Sequence, residues 1–77
     1  MSDNKLDAIL IDIFGYDQLD GIKNSKNLFY DGFLDSFTSA DLAVKIEEVY
    51  KFNFDSIDMA FENFMNYNSL SELLKSK

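Results

Sequence analysis

The sequence predicts an all-α fold, a small bundle of three main helices and one short helix, with a long ordered loop between the first and second main helices. Apolar residues recur at helical spacing in several segments. The chain contains no Pro, no internal repeat and no low-complexity tract. Its 77 residues leave room for one hydrophobic core, so residues 1–77 are predicted to form a single domain.

The first helix is predicted from about residue 3 to residue 14. Its apolar residues follow the i, i+3, i+4, i+7, i+8 spacing of one helical face. They are Leu6, Ile9, Leu10, Ile13 and Phe14. Gly15 follows and suits the left-handed backbone that ends many helices, because it has no Cβ to clash. The helix is therefore expected to end before Gly15.

Residues 15–35 show neither a sustained helical period nor a strand-like alternation, and they are predicted to form a long loop. Loops longer than about 12 to 15 residues are uncommon in a domain of this size and are usually functional or disordered. Four apolar side chains, those of Leu28, Phe29, Phe33 and Leu34, indicate that this loop packs onto the bundle. We therefore expect an ordered and functional loop.

The second main helix is predicted to begin near Asp35 or Ser36, which are both favourable N-cap residues, and to end near Lys51. At about 100° per residue its apolar side chains form two stripes on nearly opposite faces. The first stripe, expected to face the core, consists of Leu42, Ile46, Val49 and Tyr50. The second consists of Phe37, Ala40 and Val44.

Only one of these stripes can turn fully inward in a bundle of this size, so the second is expected to be at least partly exposed. Val44 is a stronger candidate for exposure than Phe37, which could instead be covered by the loop. Acidic residues lie beside the second stripe, namely Asp41, Glu47 and Glu48. An exposed apolar stripe bordered by acidic residues indicates a docking surface for a partner protein.

Two further helical segments are predicted towards the end of the chain. A short helix between residues 59 and 65 would turn Phe61, Phe64 and Met65 towards the core. A final helix is predicted with Ser69 as its N-cap, because Glu72 three residues later completes a capping-box pattern. Leu70, Leu73 and Leu74 would supply its apolar face.

The charge of the chain limits its partners. The 14 acidic and 7 basic residues give a formal net charge of −7, which disfavours nucleic acid and anionic membrane surfaces and favours proteins that present Lys or Arg. The first residues lack the pattern of a signal peptide, and no run approaches the roughly 20 apolar residues of a membrane span. A cytoplasmic monomer is the expectation.

Independent catalysis is not expected. The chain has no Cys, which excludes disulfides, and no His, so the usual ligands of zinc and other transition metals are missing. A nucleophilic Ser would need a nearby base, and no carboxylate or Lys lies at a spacing that singles out such a pair. Nucleotide-binding, metalloprotease and calcium-loop motifs are also lacking. The sequence therefore predicts a protein that is not an enzyme and holds no metal.

One motif stands out at the junction between the long loop and the second main helix. Residues 31–37 read DGFLDSF, and the helix continues as LAVKIEEVYKFNF. The chain then ends with ENFMNYNSLSELL before its last lysines. An Asp-Ser pair alone carries little information, but the order and spacing of these parts resemble those of the acyl carrier protein family. The resemblance covers nearly the whole chain.

This resemblance implies that Ser36 carries 4'-phosphopantetheine, attached by a phosphopantetheinyl transferase that uses coenzyme A and magnesium. The thiol of the arm would hold acyl groups as thioesters, in fatty-acid or related biosynthesis. Asp35 would belong to the turn that the transferase recognises. The implied contacts with basic faces of acyl-loading and acyl-processing enzymes are Phe37, Ala40, Asp41, Val44, Glu47 and Glu48. A helix N-terminus at Ser36 would favour the phosphodiester electrostatically.

Alternatives remain open on sequence grounds. Fatty-acid carriers commonly have Leu and then an acidic residue after the modified Ser, whereas this chain has Phe37 and Thr38, and Lys45 interrupts the acidic helix. A D-alanyl, aminoacyl or peptidyl carrier of a specialised pathway is therefore also consistent. A different class of protein, a small acidic adaptor without a prosthetic group, would use Ser36 only as a helix cap.

Overall fold

The computed structural model describes residues 4–76, and among them every regular element is helical. In chain order the α-helices are α1 (Asn4–Phe14), α2 (Leu19–Asn24), α3 (Ser36–Tyr50) and α4 (Tyr67–Lys75). Two 3₁₀ turns, Tyr16–Gln18 and Phe61–Phe64, precede α2 and α4. The predicted all-α class is confirmed. Residue 3, where the first helix was expected to begin, lies outside the described residues.

Helix α1 contributes the predicted apolar face to the core. Leu6, Ile9 and Leu10 are buried, and Ile13 and Phe14 pack against them. The helix ends as expected at Gly15, whose φ of 96° is readily adopted only by Gly. The Gly15 amide donates to the carbonyl of Ile11 at 2.8 Å, which completes the last turn.

The prediction of an irregular loop over residues 15–35 is wrong in its first half, because that half contains a 3₁₀ turn and α2. Helix α2 has six residues and buries only Ile22, so it is too short to show a helical period in the sequence. It also contains Gly21. A Cβ at Gly21 would lie 3.1 Å from Cζ of Phe33, so the absence of a side chain lets the Phe33 ring approach the helix.

The second half of this segment is an ordered loop, as predicted. Leu28 and Leu34 are buried, and Phe29 and Phe33 pack partly against the core. The carbonyl of Leu28 accepts hydrogen bonds from the amides of Phe33 and Leu34, at 2.9 and 3.0 Å. The loop is thus part of the core as well as its connection to α3.

Helix α3 is the predicted second main helix. Its inner face buries Leu42, Ala43 and Ile46. Val49 was also predicted to face inward, but it is 38% exposed. At about 100° per residue it lies at the edge of the inner face, whereas the next residue, Tyr50, packs against the core. The chain then turns at Lys51, which has a left-handed backbone.

The prediction for the short helix is only partly correct. The 3₁₀ turn buries Phe64, but Phe61 is 49% exposed. The Phe61 ring lies instead on the ring of Phe29 in the loop, with 4.8 Å between the centroids. Phe61 is the first residue of a single 3₁₀ turn, which is too short to define a helical face. The orientation of its side chain is therefore set by the contact with Phe29.

Helix α4 begins earlier than predicted. Its N-cap is Asn66, whose Oδ1 accepts a hydrogen bond from the amide of Ser69 at 2.8 Å, so the expected capping by Ser69 is wrong. Asn is as favourable an N-cap as Ser, and here it occurs three residues earlier. The predicted apolar face is confirmed, because Leu70, Leu73 and Leu74 are all buried.

Aromatic side chains connect the end of α3 with the second 3₁₀ turn. Tyr50, Phe52, Phe54 and Phe64 form a continuous series of ring contacts with centroid distances of 6.1, 5.0 and 5.7 Å. The last two contacts have edge-to-face geometry, which is favourable for aromatic pairs. Within residues 4–76 no helix is long and apolar enough to cross a membrane.

Candidate functional site

The side chain of Asp35 defines the start of α3. Its Oδ1 accepts hydrogen bonds from the amides of Phe37 and Thr38, at 2.9 and 2.8 Å, and from the Thr38 hydroxyl at 2.8 Å. Its own carbonyl accepts the first helical bond, from the amide of Ser39. The bonds from Thr38, and then the bond from Phe37, lower the pKa of Asp35. Asp35 is therefore an ionised N-cap.

Ser36 follows this cap as the first residue of the helix. Its side chain is exposed, and among residues 4–76 no hydrogen bond involves its hydroxyl. Since Asp35 already caps the helix, Ser36 is not the cap that the adaptor hypothesis assigned to it. The hydroxyl of Ser36 is accessible to an enzyme that would modify it.

The turn before Ser36 is fixed by hydrogen bonds. Asn27 Oδ1 accepts from the amides of Phe29 and Tyr30, both at 3.0 Å. The amide of Leu28 donates to the carbonyl of Met65 at 2.6 Å, which ties the turn to the segment before α4. Gly32, with φ of 88°, supplies the positive φ that the turn requires. Ser36 is thus held on an ordered scaffold.

The second apolar stripe of α3 is exposed, as predicted, but Phe37 is more exposed than Val44, which reverses the expected order. Phe37 is 83% exposed and Val44 is 54% exposed, and Ala40 between them is also exposed. Asp41 and Glu48 are exposed on the same helix. The exposed stripe therefore starts at the residue after Ser36 and offers three apolar side chains to a partner. The negative charges of Asp41 and Glu48 lie on the same helix.

Glu47 has a structural contact that the sequence did not reveal. Its Oε2 accepts a hydrogen bond of 2.7 Å from the amide of Phe54, so it holds the segment after α3 against the helix. The side chain is half-buried. One carboxylate oxygen of Glu47 is thus occupied within the fold, whereas Asp41 and Glu48 are more accessible.

Lys45 was expected to dilute the acidic character of α3, but its charge is paired. Its Nζ lies 3.0 Å from Oδ2 of Asp12 in α1. This hydrogen bond and the charge of Asp12, together with that of Glu48, raise the pKa of Lys45. The cation therefore links α3 to α1 and also interacts with Glu48 on its own helix.

The start of α3 can accommodate a phosphodiester on Ser36, although not through a set of unoccupied amides. Asp35 already accepts the amides of Phe37 and Thr38. The remaining favourable contributions are the positive end of the helix dipole and the amide of Ser36 itself. The exposed position of Ser36 leaves room for the group in solvent.

A second Asp-Ser-apolar triplet occurs at Asp55, Ser56 and Ile57. Asp55 Oδ1 accepts from the amide of Asp58, and Asp58 Oδ2 accepts from the amide of Asp55, at 2.8 and 3.1 Å. Ser56 and Ile57 are exposed. This triplet lies in an isolated turn and begins no α-helix. It provides an internal control for the triplet at Ser36.

Comparison with known protein families gives a match that covers residues 4–75. The model of the family described as "phosphopantetheine attachment site" matches residues 4–75. This range includes all four α-helices and the ordered loop. Searches of curated proteins and of solved structures give no significant match.

Proposed function

The chain belongs to the phosphopantetheine attachment site family, and on this premise we propose that Ser36 is the residue to which the arm is attached. The family is defined by covalently bound 4'-phosphopantetheine, and its domains are carriers and not catalysts. This chain is accordingly a phosphopantetheine-carrying protein. The proposals below concern its attachment residue, its docking surface and its cargo.

The observation that carries the proposal is the division of roles between two adjacent residues. Asp35 caps α3, and the hydroxyl of Ser36 is exposed and not needed for capping. In the modification, Ser36 Oγ forms a bond to the pantetheine-bearing phosphorus of coenzyme A. The diphosphate bond breaks, adenosine 3',5'-bisphosphate leaves, and a base of the transferase takes the hydroxyl proton. The product is a phosphodiester at the first residue of α3.

The exposed stripe of α3 is the proposed docking surface, and it consists of Phe37, Ala40 and Val44 with the acidic residues Asp41, Glu47 and Glu48. The proposed partners are the phosphopantetheinyl transferase, which would also recognise Asp35, and acyl-loading and acyl-processing enzymes with basic faces. A negatively charged rim steers such partners towards the apolar stripe. The net charge of −7 supports this preference over nucleic acid or anionic lipid.

The proposed cargo is an acyl group held as a thioester on the arm, in fatty-acid or related biosynthesis. The chain itself contains no Cys, so the thiol would come from the arm. We propose that the protein acts as a cytoplasmic monomer and that its partner enzymes bind to α3 one after another.

The test is the intact mass of the purified protein after incubation with coenzyme A, magnesium and a broad-specificity phosphopantetheinyl transferase. The parent and the Ser56→Ala control are expected to gain one phosphopantetheine each, and Ser36→Ala none. Circular dichroism would verify that Ser36→Ala remains helical. A gain in Ser36→Ala would assign the attachment to another residue. No gain in the parent, with the transferase active on a control carrier, would contradict the proposal.

A further inference from the structure

The second 3₁₀ turn is held by aromatic contacts on both sides. The ring of Phe61 at its start lies on Phe29, with 4.8 Å between centroids and 37° between planes. The ring of Phe64 at its end packs edge-to-face on Phe54, at 5.7 Å and 68°. These distances correspond to direct ring contact. A group that entered between Phe61 and Phe29, or between Phe64 and Phe54, would have to separate the two rings.

The interior behind the turn is filled by side chains. Leu42 and Ile46 of α3 are fully buried, and Phe64 is nearly so. Phe54 continues into an edge-to-face contact with Phe52 at 5.0 Å. The backbone of Phe54 is also fixed, because its amide donates to Glu47. Protein interiors packed in this way respond even to a single added methylene.

The Phe29–Phe61 pair lies beside the turn that presents Ser36. Leu28, next to Phe29, accepts a hydrogen bond from the amide of Leu34, two residues before Ser36. On its other side Leu28 donates to Met65, which immediately follows the 3₁₀ turn. Backbone hydrogen bonds thus connect the segment that carries the aromatic pair with the turn that leads into Ser36.

We propose that the acyl group carried on Ser36 stays outside the bundle, and that Phe61 is the residue that excludes it. The proposal rests on the attachment proposed above. Exposure to water costs free energy for each methylene of a long saturated chain, so such a chain requires a buried site. A short or polar acyl group can remain in water at little cost. The inferred cargo is thus a short or polar acyl group, such as an aminoacyl or hydroxyacyl group. A long saturated chain stored in the core is not expected.

The experiment compares two cargoes on the full chain. Acetyl and octanoyl forms are made with the transferase and the corresponding acyl-coenzyme A, and intact mass verifies loading. The expected result is an equal melting temperature for both forms and no nuclear Overhauser contacts from a ¹³C-labelled octanoyl chain to the methyl groups of Leu42 and Ile46. A higher melting temperature of the octanoyl form, or such contacts, would overturn the inference. Failure to load would instead contradict the attachment itself.

Two variants test the role assigned to Phe61. Phe61→Ala removes the ring that lies on Phe29, and Ile57→Ala removes a more exposed apolar side chain nearby in the sequence. Each acetyl form serves as the reference for its own octanoyl form, so any loss of stability caused by the substitution cancels. Octanoyl contacts with the core are expected in Phe61→Ala and not in Ile57→Ala. If neither variant shows them, Phe61 is not the barrier.

Discussion

The hydroxyl of Tyr67 donates a hydrogen bond of 2.6 Å to Oδ1 of Asp7, and so connects residues 60 positions apart in the chain. Oδ2 of the same carboxylate lies 2.9 Å from Nζ of Lys23. Asp7 thereby joins α1, α2 and α4. The group is partly buried, so its bonds are expected to contribute more to stability than an exposed ion pair does.

Replacing Tyr67 by Phe tests this contribution. The ring is retained, but the hydrogen bond to a charged partner is lost, and the free energy of unfolding is expected to fall by about 1–2 kcal/mol. For a domain of this size each kcal/mol corresponds to roughly 4–8 °C in melting temperature. Urea denaturation provides the measurement, and Tyr16→Phe is the control because Tyr16 is 75% exposed. Equal stability of the two variants would show that the bond contributes nothing.

The cap at Asp35 makes stability depend on pH. Its pKa is lowered in the folded state, so the ionised carboxylate adds stability above its unfolded pKa of about 3.9. That contribution is lost as the pH falls through the lower folded-state pKa. Asp35→Asn is expected to be less stable than the parent near neutral pH, and the difference should shrink in acid. A difference that does not change between neutral and acidic pH would contradict this account.

Lys51 occupies a backbone conformation that favours Gly. Its φ of 61° and ψ of 48° are left-handed, which costs an L-residue roughly 1–2 kcal/mol. Lys51→Gly removes this cost. Gly also gives the unfolded chain more conformational freedom, which offsets part of the stabilisation. A net stabilisation of about 0.5–1 kcal/mol is expected in thermal or urea unfolding. Lys51→Ala keeps the Cβ and should bring no such gain; if it stabilises equally, backbone strain is not the cause.

The acidic rim of the proposed docking surface can be tested through the transferase. The double variant Asp41→Asn with Glu48→Gln is expected to lower kcat/KM for phosphopantetheinylation several-fold, because rim charges mainly govern the rate of encounter. The effect should diminish at high ionic strength. Glu62→Gln with Glu72→Gln changes the net charge by the same amount on exposed positions outside α3. Equal losses in both double variants would indicate that only net charge matters.

The longer helices could be predicted from the sequence because each repeats its apolar face over several turns. The two stripes of α3 were separated correctly except for Val49, and the exposure of Val44 is confirmed, whereas that of Phe37 was left open. Helix α2 could not be predicted in the same way, because it buries only Ile22 and contains Gly21. A helix of six residues leaves too little pattern to distinguish it from a loop.

The remaining differences depend on contacts between distant residues. Asn66, Asn68 and Ser69 are all possible N-caps by composition, and Asn66 is also held by a 3.4 Å hydrogen bond from its Nδ2 to the carbonyl of Lys26. The contact of Phe61 with Phe29 is likewise invisible in local sequence. At the proposed attachment site the motif indicated the Ser, but only the hydrogen bonds of Asp35 distinguish the cap from the exposed hydroxyl.

The position of the cap one residue before the hydroxyl also affects how the protein could be regulated. The bonds that begin α3 involve Asp35 and the residues after Ser36, so none of them uses the hydroxyl that would bear the group. Apo and holo forms can then interconvert without a folding transition. The fraction of the protein that carries the phosphopantetheine arm would depend on the supply of coenzyme A and on the enzymes that add or remove the arm. The helical scaffold would be the same in both forms.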